Sequence, residues 1–156
     1  MIIPSGSSSL KGLFVLYTGG MVQLPYEEIE HTADWALRVR GQNLSDLFRN
    51  AASGMLSLLE IEPVPGNSES RSFELKAEDN ETLLVSWLEE LLYPLDVEGA
   101  AVVDFQVEVM EKAHLKAWIE LKKIASIKKE IKAVTFNELD IRAAEFGYET
   151  IIVFDV

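Results

Sequence analysis

The sequence predicts an α+β domain, a single unit of mostly antiparallel sheet with about seven strands and two amphipathic helices. Three observations carry this. Apolar and polar residues alternate with period two at 35–39, 71–77, 105–109 and 115–121, the spacing of half-buried strands. Two other stretches repeat apolar residues three and four apart, the stripe of an amphipathic helix. The strand patterns crowd into the second half of the chain, after Gly99.

The bulk numbers bound the class. At 156 residues the chain is long enough for one domain with its own core. It is 48% hydrophobic and 26% charged, which excludes wholesale disorder. The formal net charge of −12 argues against unaided binding to a nucleic-acid backbone, which needs lysine and arginine to displace counterions. Such an acidic surface fits attraction of cations or a basic partner, and equally a solvated surface with no specific role. The absence of cysteine excludes disulfides, thiolate catalysis and cysteine-based zinc or iron–sulfur sites. No apolar run approaches the ~20 residues of a membrane span, and the apolar patch at 13–17 lacks a basic segment before it. No membrane association and a cytoplasmic location are therefore expected.

Taken in order, residues 1–20 are rich in Ser and Gly and carry no acidic residue. They read as a loosely ordered leader before a domain at 21–156, with an extra strand at 13–17 as the alternative. Residues 22–40 form one or two strands, and 41–43 a turn. Asn43 then caps a helix, with Asp46 in its first turn. Its stripe is Leu44, Leu47, Phe48, Ala51, Ala52, Met55, Leu56 and Leu59, and Pro63 lies beyond its end. Residues 63–70 are a turn-rich connection, and 71–77 a strand. Asp79 or Asn80 caps a second helix from about Glu81, which Pro94 limits near Tyr93. A hairpin follows, with strands at 105–109 and 115–121 about a turn at 111–113. Residues 122–130, with four lysines, read as a solvated loop. Strands at 131–136, 139–143 and 148–156 complete the chain, with a hairpin loop at 145–147.

The residues that carry chemistry are few. There is no phosphate-cradling glycine loop and no zinc-binding or nucleophile-elbow motif. Of the two histidines, His114 lies on the polar side of a strand and reads as a surface residue. His31 stands three residues from Asp34, although a lone histidine is ordinarily bonded to backbone. Asp34 and Asp155 each abut an apolar strand pattern, and Asp155 precedes Val156 with its carboxylate. If the strands they flank are neighbours, several anionic oxygens converge, a donor set suited to a hard cation. Two strand-end aspartates bonded to backbone amides would satisfy the same sequence.

Four segments together resemble the archease family. They are Tyr26 to Asp34 with its His31-Thr32-Ala33-Asp34 motif, the helix 43–59, the stretch Leu83–Tyr93, and the closing part. The last comprises Glu130-Ile131-Lys132-Ala133-Val134-Thr135-Phe136 and Ile152-Val153-Phe154-Asp155-Val156. The resemblance spans residues 26–156 and leaves out 1–20. It implies a non-enzymatic partner of RtcB-type tRNA-splicing RNA ligases, which promotes their guanylylation and multiple turnover and meets tRNA only through the ligase. It also implies a metal site of Asp34, Asp155 and Val156, with calcium first and magnesium or manganese as alternatives. Lys132 and His31 are further functional candidates. Where the family often has a histidine after Thr-Tyr, this chain has Phe136-Asn137. A chaperone-like modulator of tRNA-modifying enzymes is a second implied role. A free-standing metal-dependent hydrolase is disfavoured by the lack of a convincing general base.

Overall fold

A computed structural model describes residues 16–18, 21–29 and 34–156 of the chain. In chain order the elements are β1 (Leu16–Thr18), β2 (Met21–Gln23), β3 (Tyr26–Ile29), β4 (Trp35–Gly41), α1 (Leu44–Leu59), β5 (Ile61–Pro63), β6 (Glu69–Lys76) and α2 (Asn80–Glu98). Then come β7 (Ala100–Met110), β8 (His114–Ile127), β9 (Ala133–Thr135), β10 (Arg142–Ala144) and β11 (Gly147–Asp155). Every strand pair is antiparallel. The α+β architecture with two helices stands, with more strands than the seven or so expected, several of them only three residues long.

The strands fall into three sheets. β1 and β2 form a short hairpin. A five-stranded sheet runs β10-β11-β4-β3, with β9 also paired to β11. In the four-stranded sheet the long β8 is flanked by β7, β6 and β5. α1 packs against both β4 and β7, and α2 against β6, β7 and β9, so the helix pair joins the two large sheets.

The first helix follows its sequence signals. Asn43 is extended, and its side-chain oxygen accepts from the Asp46 N–H at 2.8 Å, which satisfies one orphan donor of the first turn. The apolar stripe drives the helix into the core, where Leu47, Phe48, Ala51, Ala52, Met55 and Leu59 are fully buried. Gly54 allows the close approach to the five-stranded sheet: a Cβ there would lie 2.9 Å from Leu37 Cδ1 and 3.0 Å from the Tyr26 ring. On the other side Trp87 of α2 packs between Phe73 and Phe105, with ring centroids 6.1 and 5.8 Å away. Its indole N–H donates to the Phe48 carbonyl at 3.1 Å, which ties the helices together.

The strands expected at 131–136 and 139–143 are shorter or shifted, as β9 and β10, and three further boundaries differ from the sequence reading for a nonlocal reason. Pro94 does not end α2, which continues to Glu98. Proline inside a helix loses one ladder hydrogen bond and its ring crowds the carbonyl four residues back, a cost that packing must offset. Here it is buried, Leu95 packs against the core, and the turn closes on Gly99, whose N–H donates to the Pro94 carbonyl with φ at 62°. Residues 61–63 form β5, so Pro63 ends a strand rather than opening the connection. Pro63 is accommodated because the strand pairs only with β8 and lies at an edge. Lys122 to Ile127 belong to β8 rather than to a loop. β7 and β5 supply their ladder partners, with Lys122 opposite Ala101 and Ile127 opposite Ile61, so backbone pairing overrides the charge pattern.

Candidate functional site

Alternation sets the site's floor. In β4, Leu37 and Val39 face α1 and are buried, while Arg38 and Arg40 lie on the opposite face. β11 reads the same way, with Ile152 and Phe154 fully buried toward the helices. These two strands are direct neighbours, in register from Tyr148 opposite Gly41 to Phe154 opposite Trp35. Asp34 and Asp155 therefore stand one step beyond the last pair, at the same end of the sheet. The condition that the strands flanked by these aspartates be adjacent is met.

The other edge of β11 brings in Lys132. β9 pairs with β11 through Phe154 opposite Val134 and Asp155 opposite Ala133. The backbone N–H of Lys132 donates to the Asp155 carbonyl at 2.8 Å. The ends of β4, β11 and β9 thus meet in one tip. Asp155, Val156 and Lys132 are exposed there and Asp34 is half-buried, above a floor of Phe154, Val153, Val134 and Ile131 that is buried throughout. Exposed polar groups at the end of a packed three-strand floor are held in place and remain open to a partner.

Trp35, which opens β4 beside Asp34, carries the ammonium of Lys129 over its ring, 4.8 Å from the centroid. Lys129 lies in the stretch between β8 and β9. The segment 129–132 is thereby anchored at both halves of the tip, to Trp35 at one end and to Asp155 at the other. Nothing local in the sequence pairs Trp35 with Lys129; the contact depends on the β4–β11–β9 arrangement.

Among the described residues the donors at the tip are oxygens: the Asp34 and Asp155 carboxylates and the main-chain oxygens of 155–156. That set fits a hard divalent cation and not a soft one. Like charges brought to neighbouring strand ends repel, and a cation between them would offset this. Among the described residues no three or more His, Cys, Asp or Glu side chains cluster as a metal cage, so the tip offers an ion only part of its coordination shell.

The remaining candidates lie apart. His31, with Glu30, Thr32 and Ala33, is outside the described residues. His114 faces Glu74 at 3.4 Å on the four-stranded sheet. Lys123 donates to the Glu98 carbonyl at 3.1 Å, at the C-terminal end of α2 where a cation complements the helix dipole. Asn137 is exposed just past β9, and its N–H donates to Thr135 Oγ1 at 3.2 Å. An open cleft of about 740 Å³ lined by Arg49, Phe73, Phe105, Lys116 and Trp118 holds none of the predicted site residues.

The sequence reading did not single out the ion cluster farther along the tip sheet. Arg38 lies 3.1 Å from Glu27 and 3.8 Å from Glu149, and Arg40 lies 3.3 and 3.0 Å from the same two carboxylates. The alternating charges of β3, β4 and β11 were visible, but their pairing needs the register. The Arg38 hydrogen bond, foremost, holds the Glu27 carboxyl below its ordinary range; partial burial opposes the shift and the Arg40 charge adds to it.

Comparison with known proteins gives one consistent result. The model of the Archease protein family (MTH1598/TM1083) matches residues 26–156. Protein archease of Methanosarcina mazei is 35% identical over 142 residues, covering 84% of this chain and 95% of the relative. Protein archease of Archaeoglobus fulgidus is 35% identical over 137 residues, 85% of this chain and 100% of the relative. The solution structure of protein 1598 of Methanobacterium thermoautotrophicum superposes with a TM-score of 0.63 at 27% identity, over 85% of this chain and 99% of that one. The crystal structure of an archease from Thermotoga maritima, described as a possible chaperone, shares the fold with a TM-score of 0.62 at 24% identity, over 83% and 96% of the two chains.

Proposed function

The chain belongs to the archease family, and from that premise we propose that it is a non-enzymatic activator of an RtcB-type RNA ligase. In this reading the tip docks near the ligase active site and promotes guanylylation and repeated turnover. The observation that carries the reading is the neighbouring placement of β4 and β11, which brings Asp34 and Asp155 to one exposed edge. Asp34, Asp155 and Val156 would hold a divalent cation, calcium first and magnesium or manganese as alternatives. When bound, the ion supplies a hard Lewis acid that gathers oxygen ligands from a partner.

The chain's own residues do the rest. The buried floor of Phe154, Val153 and Val134 fixes the strand ends, so the carboxylates are presented without reorganisation on docking. Lys132 is exposed beside Asp155, and its ammonium acts as a point charge for a phosphate or a ligase carboxylate. tRNA is met through the ligase, because a chain of net charge −12 has no general affinity for phosphate backbones.

The test is multiple-turnover RNA ligation by the cognate ligase, with and without this protein. Wild type is expected to raise turnover. Asp34→Ala and Asp155→Ala are expected to lose most of that gain while unfolding at the wild-type temperature. No stimulation, or full stimulation by Asp34→Ala, overturns the reading. Stimulation that follows protection of a partner from aggregation and is indifferent to both aspartates would instead identify a chaperone-like modulator.

A further inference from the structure

We infer that the free edge of β6 docks an extended basic segment of a protein partner. The segment adds as a strand and lays its cations across the outer face of the four-stranded sheet, toward Trp118 and the Asp104–Glu120 pair. This surface lies on a different sheet from the tip and does not rest on the proposed function.

The first support is the contrast between the two edges of the sheet. β7 and β6 flank β8, and each has one side without a strand partner among the described residues. On β7 that side is closed. The Phe105 N–H donates to Asp104 Oδ1 at 2.9 Å, the Val109 N–H donates to Ser45 Oγ at 2.8 Å, and the register shifts between Val102 and Asp104. Such plugs and bulges keep other chains off an edge. β6 has none of them. It runs in unbroken register with β8 from Glu69 to Lys76 and contains no proline. The Ala77 N–H points to β8, where it donates to the Ala113 carbonyl. By alternation the N–H groups of Ser70, Ser72, Glu74 and Lys76 point outward, and no side chain among the described residues accepts from them.

The second support is the face beside that edge. Leu115, Ala117, Ile119 and Leu121 of β8 are buried in the core, so Lys116, Trp118 and Glu120 lie on the other face. Pairing sets Ser72, Trp118 and Gln106 in one row across the sheet, and Ser70, Glu120 and Asp104 in the next. The serines keep both rows low at the β6 edge. Trp118 is half-buried and lines the open cleft together with Ser72 and Gln106. Asp104 and Glu120 are like charges placed directly opposite, which destabilises a sheet, and neither has an ion pair among the described residues. In the row on the other side of Trp118, Lys116 takes Glu74 at 3.7 Å and Glu108 is unpaired. His114 also faces Glu74, and the unpaired cations of this face, Lys76 and Lys122, stand at its two ends. Unpaired carboxylates therefore border Trp118.

The third support is reach. Trp118 stands two strand spacings, roughly 10 Å, from an added strand. An arginine or lysine opposite Ser72 crosses the serine and sets its charge on the indole face, and one opposite Ser70 reaches Glu120. Positions 70 and 72 share a face, so the partner carries its cations at alternate residues. Main-chain bonds give such strand addition its affinity and the side chains its specificity.

The experiment titrates the whole chain, followed by NMR at low salt, with a synthetic peptide that alternates arginine and threonine. Shifts are expected in the amides of 70–76 and in the Trp118 indole. A peptide with glutamate in place of arginine is expected not to bind, and one with its arginines in a single block to bind more weakly. Ser72→Pro removes an outward N–H and leaves the β8 ladder intact; it should weaken binding about fivefold, the worth of one main-chain hydrogen bond. Glu120→Gln and Trp118→Leu should each weaken it about two- to fivefold. Both change side chains on the uncovered face, so they keep the test decisive if Ser72→Pro perturbs β6. Equal binding of the glutamate or blocked peptide, shifts away from β6, or wild-type affinity in Glu120→Gln and Trp118→Leu overturns the inference. Dimerisation of the chain in sedimentation that Ser72→Pro abolishes would make a second copy the occupant and overturn it as well. These variants leave Asp34 and Asp155 in place, so ligase stimulation reports on the tip separately.

Discussion

At the scale of single residues, the tip sheet carries two kinds of polar group with different fates. Glu27, Arg38, Arg40 and Glu149 satisfy one another across β3, β4 and β11. Glu27 titrates below its ordinary value of 4.5 in the folded state, so its share of stability is present above that value and is lost as the pH falls through the lowered one. Glu27→Gln should therefore flatten the acid limb of a stability–pH curve below about pH 4.5, checked by thermal unfolding from pH 7 to pH 3. Thr150, in the same β11, is the contrasting case. It is buried, opposite Val39, and its hydroxyl makes no hydrogen bond among the described residues. Thr150→Val replaces an unsatisfied hydroxyl with a methyl of the same shape and should stabilise the fold by about 1 kcal/mol, read from denaturant unfolding. Asp34 and Asp155 stand beyond the last paired residues of β4 and β11, at the same end of the sheet.

At the scale of elements, the local signals were legible where one stretch of chain decides the outcome. Asn43 and the Leu44–Leu59 stripe located α1 to the residue, because capping and amphipathicity are properties of that segment alone. Asn43→Ala should lower stability by about 1 kcal/mol through the lost cap, without changing the cooperativity of unfolding. α2 was legible only to Tyr93. Its last turn is held across Pro94 by burial of the proline and Leu95 and by the Gly99 cap, which no local rule for proline contains. β5 and the lysine-bearing end of β8 were misread for the same reason: each is a strand because of its partner. The site divides along this line as well. Asp34 and Asp155 could be named from the strand patterns beside them. The Lys129–Trp35 contact could not, since its two residues are distant in sequence and each is unremarkable locally.

At the scale of the whole molecule, the helices tie together two antiparallel sheets whose strands are drawn from across the chain. β4 joins β11 from the far end of the described fold, while β6, β7 and β8 are nearer neighbours in sequence. The backbone amides of β4 and β11 lie in the buried middle of their sheet and should be among the slowest to exchange with deuterated water. Those of three-residue edge strands such as β10 should exchange far sooner. The same arrangement has a consequence for synthesis. β11 is made last of these elements, yet it is the strand that pairs with β4, β9 and β10. A nascent chain that has not passed Gly147 can assemble β6, β7 and β8 around the helices, but leaves β4 with one edge unpaired. During translation that edge is a template for mispairing, and the tip formed by β4, β9 and β11 does not exist until β11 emerges from the ribosome and docks.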